Sequence, residues 1–284
     1  MQQEVEQGNP QSTPETQNPT EKVIRRRRVP RRKRWTTIER DLRLAKGPLL
    51  AGVDEVGRGP SAGPVVACAV IMPADTRAIA GVDDSKKLTH DQRVRLAVKI
   101  RERAVSFALG AASVREIDSI NIYQASVLAM RRALGRLGVR PDHVVIDGRV
   151  MRTLPIPHTA VVHGDARCHS IACASILAKV TRDLLMTRLS VRYPQYIWDH
   201  NAGYTTRDHV AGLASHGITP HHRRSFCRIS DLLLEVERQT MLQDMGVTAL
   251  DDVGVPDEDD FDYEIVAGAE LGLDVLEQGL EREL

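Results

Sequence analysis

The fold is decided by residues 49–72, which read LLAGVDEVGRGPSAGPVVACAVIM. The first apolar run, residues 49–53, stops at Asp54 and Glu55, as a buried strand does at the end of a sheet. The glycines and proline of GRGP (57–60) mark a turn, and a second apolar run of strand length follows it. The stretch therefore predicts two neighbouring strands with a pair of carboxylates at the end of the first.

The rest of the chain alternates between strand-length and helix-length patterns. Apolar runs of strand length lie at residues 65–72, 106–111, 143–146 and 159–162. Helical spacing predicts helices at residues 89–104, 118–137, 170–189, 207–215 and 231–243. Strands in a row, followed by strands that helices connect, are typical of the α/β class, so we expect a mixed sheet with helices on both faces.

The composition is that of a soluble globular protein. Of the 284 residues, 42% are hydrophobic and 27% are charged, and no apolar run reaches the roughly 18–20 residues of a membrane span. Residues 1–20 lack the apolar segment of a secretory signal. Four cysteines without a CxxC pair disfavour a disulfide scaffold, a zinc ribbon or a thioredoxin-type site. We expect a cytoplasmic protein, and nothing in the sequence demands more than a monomer.

Charge is strongly segregated along the chain. Residues 21–46 hold 12 lysines and arginines against three acids, whereas residues 241–284 hold one arginine against 14 acids. This predicts a disordered basic arm (1–46) in which only residues 35–44 could form a short helix, a folded domain (47–240) and an acidic, flexible tail (241–284). Basic arms bind polyanions through counterion release, but a solubilising extension explains the same composition.

Acidic residues follow three of the predicted strands, namely Asp54 with Glu55, Asp147, and Asp165. Strand ends gather ligands in α/β folds, and four carboxylates brought together need a cation to offset their repulsion. Oxygen ligands select hard ions such as Mg²⁺ or Mn²⁺, and two such ions support phosphoryl transfer. The alternative at each position is an acid that caps a helix or closes a turn.

The glycine-rich turn after the first strand is not a dinucleotide fingerprint. Pro60 and a further strand follow the glycines, whereas a pyrophosphate site needs a helix N-terminus there. A tight turn lets a nucleic-acid strand approach the backbone closely, with Arg58 near a phosphate. We therefore expect this turn to bind substrate.

Seven motifs resemble those of the type 2 ribonucleases H (ribonuclease HII). In chain order they read GVDEVGRGPSAGPVVA (52–67), DSKKL (84–88), VVIDG (144–148), GD (164–165), SIACASILAKVTRD (170–183), GYT (203–205) and HRRSF (222–226). The match runs over residues 49–228 in the family's order, and together the motifs are highly specific.

The resemblance implies a fold, an activity and a metal site. The fold is ribonuclease H-like, a mixed five-stranded sheet flanked by helices with a C-terminal helical extension. The activity is endonucleolytic hydrolysis of the RNA strand of RNA–DNA hybrids. It includes nicking of DNA 5′ of an embedded ribonucleotide, which leaves 3′-hydroxyl and 5′-phosphate ends and serves DNA replication and repair. By motif position, the catalytic ligands of Mn²⁺ or Mg²⁺ are Asp54, Glu55, Asp147 and Asp165.

The resemblance also implies how substrate is held. The turn of Gly57, Arg58 and Gly59 reads the ribose 2′-hydroxyl, which distinguishes RNA from DNA, and Tyr204 stacks on the deoxyribose that follows. Phosphate contacts are implied for Lys86, Lys87, Lys179 and Arg182. The chain departs from the family at residues 202–206, which read AGYTT where many members read KGYGT. The missing lysine predicts the loss of one phosphate contact.

Two other functions are open alternatives. A non-catalytic nucleic-acid-binding protein on this fold would need one of the four acids replaced, and none is. A resolvase- or integrase-like DNA nuclease would keep the fold, but the Gly-Arg-Gly turn and Tyr204 together argue for the reading of a ribose–deoxyribose junction.

Overall fold

The structure, a computed structural model, describes residues 35–227, 229–231 and 234. The first 34 residues of the predicted arm, the acidic tail (241–284) and nearly all of the helix predicted at residues 231–243 lie outside the described residues. In the part of the chain that is described, no helix is long and apolar enough to cross a membrane.

A five-stranded mixed sheet forms the centre of the domain, as predicted. Its strands are β1 (Leu50–Val56), β2 (Val65–Ile71), β3 (Ser106–Ala112), β4 (His143–Asp147) and β5 (His158–Val161). In space they follow the order β3-β2-β1-β4-β5. Strand β2 is antiparallel to β1 and β3, whereas β4 is parallel to β1 and β5. The carboxyl ends of β1 and β4 therefore meet at the same end of the sheet.

Strand β1 extends further than predicted. The run predicted over residues 49–53 continues to Val56, because Asp54 pairs with Cys68 and Glu55 with Ala67 of β2. The two carboxylates thus lie inside a paired strand rather than after it, so the sheet fixes their backbone.

Helices cover both faces of the sheet, also as predicted. The described residues form α1 (Ile38–Lys46), α2 (His90–Arg103), α3 (Val114–Gly135), α4 (Gly164–Arg167), α5 (His169–Arg192), α6 (Trp198–Asn201) and α7 (Arg207–His216). Helix α3 packs on one face, while α5 packs on the other and is itself covered by α2. A Cβ atom at Gly52 would collide with the backbone of Ser170 in α5, so this glycine permits the close approach of α5 to β1.

Helix α3 begins earlier than predicted and contains an interruption. It starts at Val114 rather than at residue 118, because Ser113 and Glu116 form a capping box in which each side chain accepts from the other residue's N–H. At Asn121 the backbone leaves helical geometry, with φ 66°. The Asn121 side chain accepts hydrogen bonds from the N–H groups two and three residues later and so caps the second part of the helix.

Helix α1 belongs to the folded domain, so the prediction of a disordered arm over residues 1–46 is wrong for Ile38–Lys46. The Glu39 carboxylate accepts hydrogen bonds from the N–H groups of His169 (3.0 Å) and Ser170 (2.8 Å). These N–H groups belong to the N-terminus of α5, where a helix leaves donors unpaired. Trp35 packs edge-on against the His169 ring, with 5.4 Å between centroids. The described residues before position 47 therefore pack as part of the folded domain, which was predicted to begin at residue 47.

A small helical lobe follows α5, in agreement with the expected helical extension. Its apolar cluster buries Met186, Tyr196, Trp198, Leu213 and Ile229 together with Ala62. Ala62 belongs to the loop of residues 57–64 that joins β1 to β2, so the lobe packs directly against this loop.

Candidate active site

Four acidic side chains lie at the carboxyl end of the sheet. In the parallel pair of β1 and β4, Val53 lies opposite Ile146, so Asp54 and Asp147 occupy the next position of each strand. Asp165 follows β5 in the short helix α4. A pocket of about 370 Å³ is lined by Asp54, Glu55, Val56, Ser85, Lys86, Asp147, Ser175, Lys179 and Tyr204. The structure thus brings together acids that are far apart in the sequence.

Burial and the charges of neighbouring acids raise the pKa values of Asp54, Glu55 and Asp165. The pKa of Asp54 lies well above its usual value because burial, and then the charges of Glu55 and Asp147, disfavour the ionised form. Burial also raises the pKa of Glu55, although the Arg58 guanidinium, 3.1 Å from its Oε1, opposes the shift. The pKa of Asp165 is raised by burial and then by Asp147. The pocket therefore concentrates negative charge that is poorly solvated.

Hydrogen bonds orient two of the carboxylates. The Asp54 Oδ1 accepts from the Glu55 N–H at 2.9 Å, and the Asp147 Oδ1 accepts from the Gly164 N–H at 2.6 Å. Ser175 opposes the rise in the pKa of Asp54, and its hydroxyl oxygen lies 2.9 Å from the Ser85 hydroxyl. Sequence reasoning assigned no role to either serine, although both lie within the recognised motifs.

The donor set fits hard divalent cations, because all four groups are carboxylates and such ions prefer oxygen ligands. A bound cation would also offset the repulsion that raises the pKa values. Among the described residues, no three His, Cys, Asp or Glu side chains are already arranged to hold a metal ion. Glu55 instead contacts Arg58, and Asp165 lies 4.0 Å from the Lys86 ammonium group. A cation bound by Glu55 or Asp165 would compete with these two ion pairs.

Two buried arginines brace the loop of residues 57–64. Arg182 donates from Nε to the Pro64 carbonyl (2.9 Å), from Nη2 to that of Ala62 (3.0 Å) and from Nη1 to that of Ala202 (2.9 Å). Only 1% of Arg182 is exposed. The prediction that Arg182 contacts a phosphate is therefore wrong, because its guanidinium is buried and donates to three backbone carbonyls instead.

Arg223 is the second brace, and sequence reasoning gave it no role. It donates to the carbonyl oxygens of Gly57 (2.6 Å), Arg58 (3.0 Å) and Gly63 (2.8 Å). Burial lowers its pKa to about 9, so it stays protonated at neutral pH. Arg223 lies in the HRRSF motif, but only the structure shows that the Arg223 side chain reaches the loop. Gly57 itself has φ +93°, which favours glycine.

Tyr204 lies at the junction of the pocket and the loop. Its side chain lines the pocket and is 50% exposed. A Cβ atom on Gly59 would lie 3.4 Å from the Tyr204 Cε1, so the ring lies beside the Gly-Arg-Gly turn. Asn201 shapes this region, because its Oδ1 accepts from the Gly203 N–H at 2.8 Å and its Nδ2 donates to the Tyr196 carbonyl at 2.7 Å.

The predicted lysines differ in position. Lys86 and Lys179 line the pocket, and the Lys179 ammonium group also contacts Asp183 at 2.6 Å. Lys87 does not line it, and its exposed ammonium group lies 3.9 Å from Asp83. The structure therefore places two of the three lysines beside the carboxylates.

Comparison with known proteins identifies the family. The family model for ribonuclease HII matches residues 51–229. The chain belongs to the ribonuclease HII family. The ribonuclease HII of Thermosynechococcus vestitus is 54% identical over 181 residues, which cover 63% of this chain and 84% of that protein. The ribonuclease HII of Granulibacter bethesdensis is 53% identical over 191 residues, which cover 66% and 87%. As a family member, the chain is an enzyme, a hydrolytic ribonuclease of the H type.

Solved structures confirm the ribonuclease H-like fold. The ribonuclease H2 from Pyrococcus horikoshii matches with a TM-score of 0.57 at 24% identity, over 66% of this chain and 99% of that one. The Bst ribonuclease HIII in complex with Mn²⁺ matches with a TM-score of 0.51 at 20% identity, over 68% and 72%. At these identities the likeness supports the fold alone.

Proposed function

We propose that this ribonuclease hydrolyses the RNA strand of RNA–DNA hybrids and also nicks duplex DNA 5′ of an embedded ribonucleotide, leaving 3′-hydroxyl and 5′-phosphate ends. The observation that carries the proposal is the position of the Tyr204 ring beside Gly59, at a pocket that Asp54, Glu55 and Asp147 line. A sugar bound between ring and turn would lie beside the carboxylates. Family membership supports the hydrolysis, and this position of the ring supports the junction.

The Gly-Arg-Gly turn suits recognition of a ribose by backbone groups. Gly57 and Gly59 present no side chains, so a sugar can approach the main chain closely. Arg182 and Arg223 hold the loop through its carbonyl oxygens. The loop therefore loses little conformational entropy when substrate binds. The 2′-hydroxyl both donates and accepts hydrogen bonds, and it is the group that separates RNA from DNA. The Tyr204 ring then offers apolar surface to the following deoxyribose.

We propose that Asp54, Glu55, Asp147 and Asp165 hold two divalent ions, Mg²⁺ or Mn²⁺. Such ions, when bound, lower the pKa of a water molecule and stabilise charge on the leaving oxygen. The chain's own contribution is to orient the carboxylates through the Glu55 and Gly164 N–H groups. Lys86 and Lys179 offer positive charge to the phosphates in the pocket, and Lys87 to a flanking phosphate.

We also propose that the basic arm adds a grip on the substrate backbone. Residues 25–34 include eight lysines and arginines. Thr36, close after this run, donates from its N–H (3.2 Å) and hydroxyl (2.9 Å) to the Arg167 carbonyl. Arg167 is two residues from Asp165, so Thr36 is held near this carboxylate. Contacts between the arm and phosphates would not depend on the base sequence of the nucleic acid.

The test uses an end-labelled DNA duplex with one internal ribonucleotide, an all-DNA duplex and a long RNA–DNA hybrid. Each is incubated with Mg²⁺, with Mn²⁺ and with EDTA. We expect one metal-dependent nick 5′ of the ribonucleotide, cleavage of the hybrid and no cleavage of plain DNA. Tight binding without any nick would favour the non-catalytic alternative. Cleavage of the all-DNA duplex would show that the turn does not read the ribose.

A further inference from the structure

A buried cluster of histidines and aromatic rings lies behind Tyr204. His209, in α7, and His222 are 0% and 1% exposed. Their rings are 5.2 Å apart, and Tyr196 and Trp198 pack against both. No part of the proposed chemistry uses these groups, yet the cluster contains polar atoms that must find partners.

The hydrogen bonds fix the proton position of His222. The Thr219 N–H donates to the His222 Nδ1 at 2.9 Å, so this nitrogen is an acceptor and carries no proton. Burial lowers the pKa of His222 to about 3, so the ring is neutral at pH 7. A neutral imidazole carries one proton, which therefore lies on Nε2. That proton points to the His209 Nε2, 3.0 Å away.

The proton position of His209 follows from that of His222. Its Nε2 accepts from His222 and from the Trp198 Nε1–H at 3.2 Å, and burial lowers its pKa. The single proton of the neutral ring therefore lies on Nδ1. The Nδ1–H donates to the Tyr204 carbonyl oxygen at 2.9 Å. A directed chain of hydrogen bonds thus runs from Thr219 through both rings to the Tyr204 backbone.

The backbone around His222 also holds the loop that carries the Gly-Arg-Gly turn. His222 forms an isolated β-bridge with Ala62. The Gly63 N–H donates to the His221 carbonyl at 2.9 Å, and the Arg223 N–H donates to that of Ser61 at 2.8 Å. His222 therefore holds the loop through its main chain and holds Tyr204 through its ring and that of His209.

We propose that His209 and His222 are positioning residues that fix Tyr204 relative to the Gly-Arg-Gly turn, and so set the preference for a ribonucleotide followed by a deoxyribonucleotide. This inference rests on the proposed function of Tyr204 and the turn. Neither histidine contacts substrate. The residue type matters because only a neutral imidazole combines a donor and an acceptor on opposite sides of a rigid ring.

The test compares His209→Asn with His209→Gln. The asparagine amide nitrogen lies near the Nδ1 position and can still donate to the Tyr204 carbonyl. The glutamine amide reaches the Nε2 position, where it meets Trp198 and His222 but leaves Tyr204 without its donor. The readout is kcat/KM on the single-ribonucleotide duplex divided by kcat/KM on a long hybrid. We expect His209→Gln to lower this ratio about 3–10-fold, as expected for one lost hydrogen bond, and His209→Asn to preserve it.

A structural control and a measurement on the unaltered protein accompany the variants. Trp198→Phe removes a donor to the His209 Nε2 but spares the bond to Tyr204, so it should lower the melting temperature without changing the ratio. In the unaltered protein, ¹⁵N NMR should show the proton of His209 on Nδ1 and that of His222 on Nε2. This spectrum tests the chain of hydrogen bonds even where a variant does not fold.

Two results would overturn the inference while leaving the proposed function intact. One is an unaltered protein with the opposite tautomers. The other is an equal loss on both substrates for His209→Gln, which is the result of a purely structural role. An unaltered protein that cleaves the hybrid but does not nick the single-ribonucleotide duplex would instead refute the proposed junction activity, and the inference with it.

Discussion

The Nη2 of Arg223 lies 2.6 Å from the carbonyl oxygen of Gly57, the first residue of the loop after β1. The same guanidinium reaches the carbonyls of Arg58 and Gly63. A planar group with five donors can serve three carbonyls at once, whereas a lysine ammonium is a point charge. The Gly-Arg-Gly turn is thus held in shape by a residue 166 positions away in the chain.

Arg223→Lys tests this brace. Each buried carbonyl left without a donor costs about 1–3 kcal/mol, so we expect the free energy of unfolding to fall by about 2–4 kcal/mol, together with a loss of cleavage at a single ribonucleotide. Urea unfolding and the nicking assay measure the two effects. Arg224→Lys, at the exposed neighbouring position, should change neither. Unchanged stability in Arg223→Lys would show that the turn holds its shape without the guanidinium.

Asp147→Asn tests the carboxylate site. The asparagine oxygen can still accept from the Gly164 N–H, so folding and hybrid binding should persist. Loss of a residue that only supports a metal ligand lowers activity roughly 10–100-fold. Loss of a direct ligand should lower cleavage in Mg²⁺ by more than that. Asp91→Asn, an exposed acid in α2, is the matched control and should cleave normally. Retained turnover in Asp147→Asn would remove this residue from the metal site.

Tyr204→Ala tests the junction role. Loss of the ring should lower cleavage at a single ribonucleotide about 3–10-fold, the worth of one aromatic contact, and should affect a long RNA–DNA hybrid less. Tyr204→Phe keeps the ring and should behave like the unaltered protein. Steady-state rates on the two substrates measure the difference, and equal losses on both would contradict the assignment.

Removal of residues 1–34 tests the basic arm. Each phosphate contact contributes about 0.9 to the slope of log K against log salt, so the truncated protein should bind more weakly and with a shallower slope. Removal of residues 1–46 also deletes Glu39, which caps α5, and should cost about 1–2 kcal/mol of stability in addition. Filter binding over a salt series measures the slope for the protein without residues 1–34. An unchanged slope would show that the arm does not contact phosphates. Urea unfolding measures the stability of the protein without residues 1–46.

The buried acids predict an unusual pH dependence of stability. The pKa values of Asp54 and Glu55 are raised above 3.8 and 4.5 mainly by burial. The native state therefore binds these protons more tightly than the unfolded state. This contribution is fully present below pH 3.8 and is lost as the pH rises through the raised values. Mg²⁺ at pH 7 should restore stability, because it binds the native state.

Asp54→Asn isolates this effect. It should abolish cleavage, yet raise the free energy of unfolding of the metal-free protein at pH 7 and weaken its pH dependence. Urea unfolding in EDTA at pH 4.5 and pH 7 measures both. An Asp54→Asn protein with the same pH dependence as the unaltered one would show that burial of the Asp54 charge does not destabilise the native state.

Local patterns were sufficient to predict the sheet and the acids. The apolar run of β2, and the strands and helices that follow it, could be predicted from hydrophobic periodicity. This periodicity depends only on residues that are neighbours in the sequence. Carboxyl ends of parallel strands meet at one end of a sheet, so Asp54 and Asp147 were expected together before their strands were seen to pair. The sequence allowed a short helix at residues 35–44 but placed it in a disordered arm, because α1 is held by Glu39 and Trp35, whose partners lie about 130 residues later.

The sequence by itself determined the family, the mixed sheet and the four carboxylates, because short motifs and hydrophobic periodicity are written in neighbouring residues. Only the tertiary structure decided which charged and polar side chains face substrate and which face the protein. Arg182 was predicted to contact phosphate, yet it donates to carbonyls 118 and 120 positions away. Arg223, to which no role was assigned, donates to carbonyls 160, 165 and 166 positions away. The partner of a long or buried polar side chain depends on which distant backbone groups the fold leaves unpaired, and no local pattern encodes that.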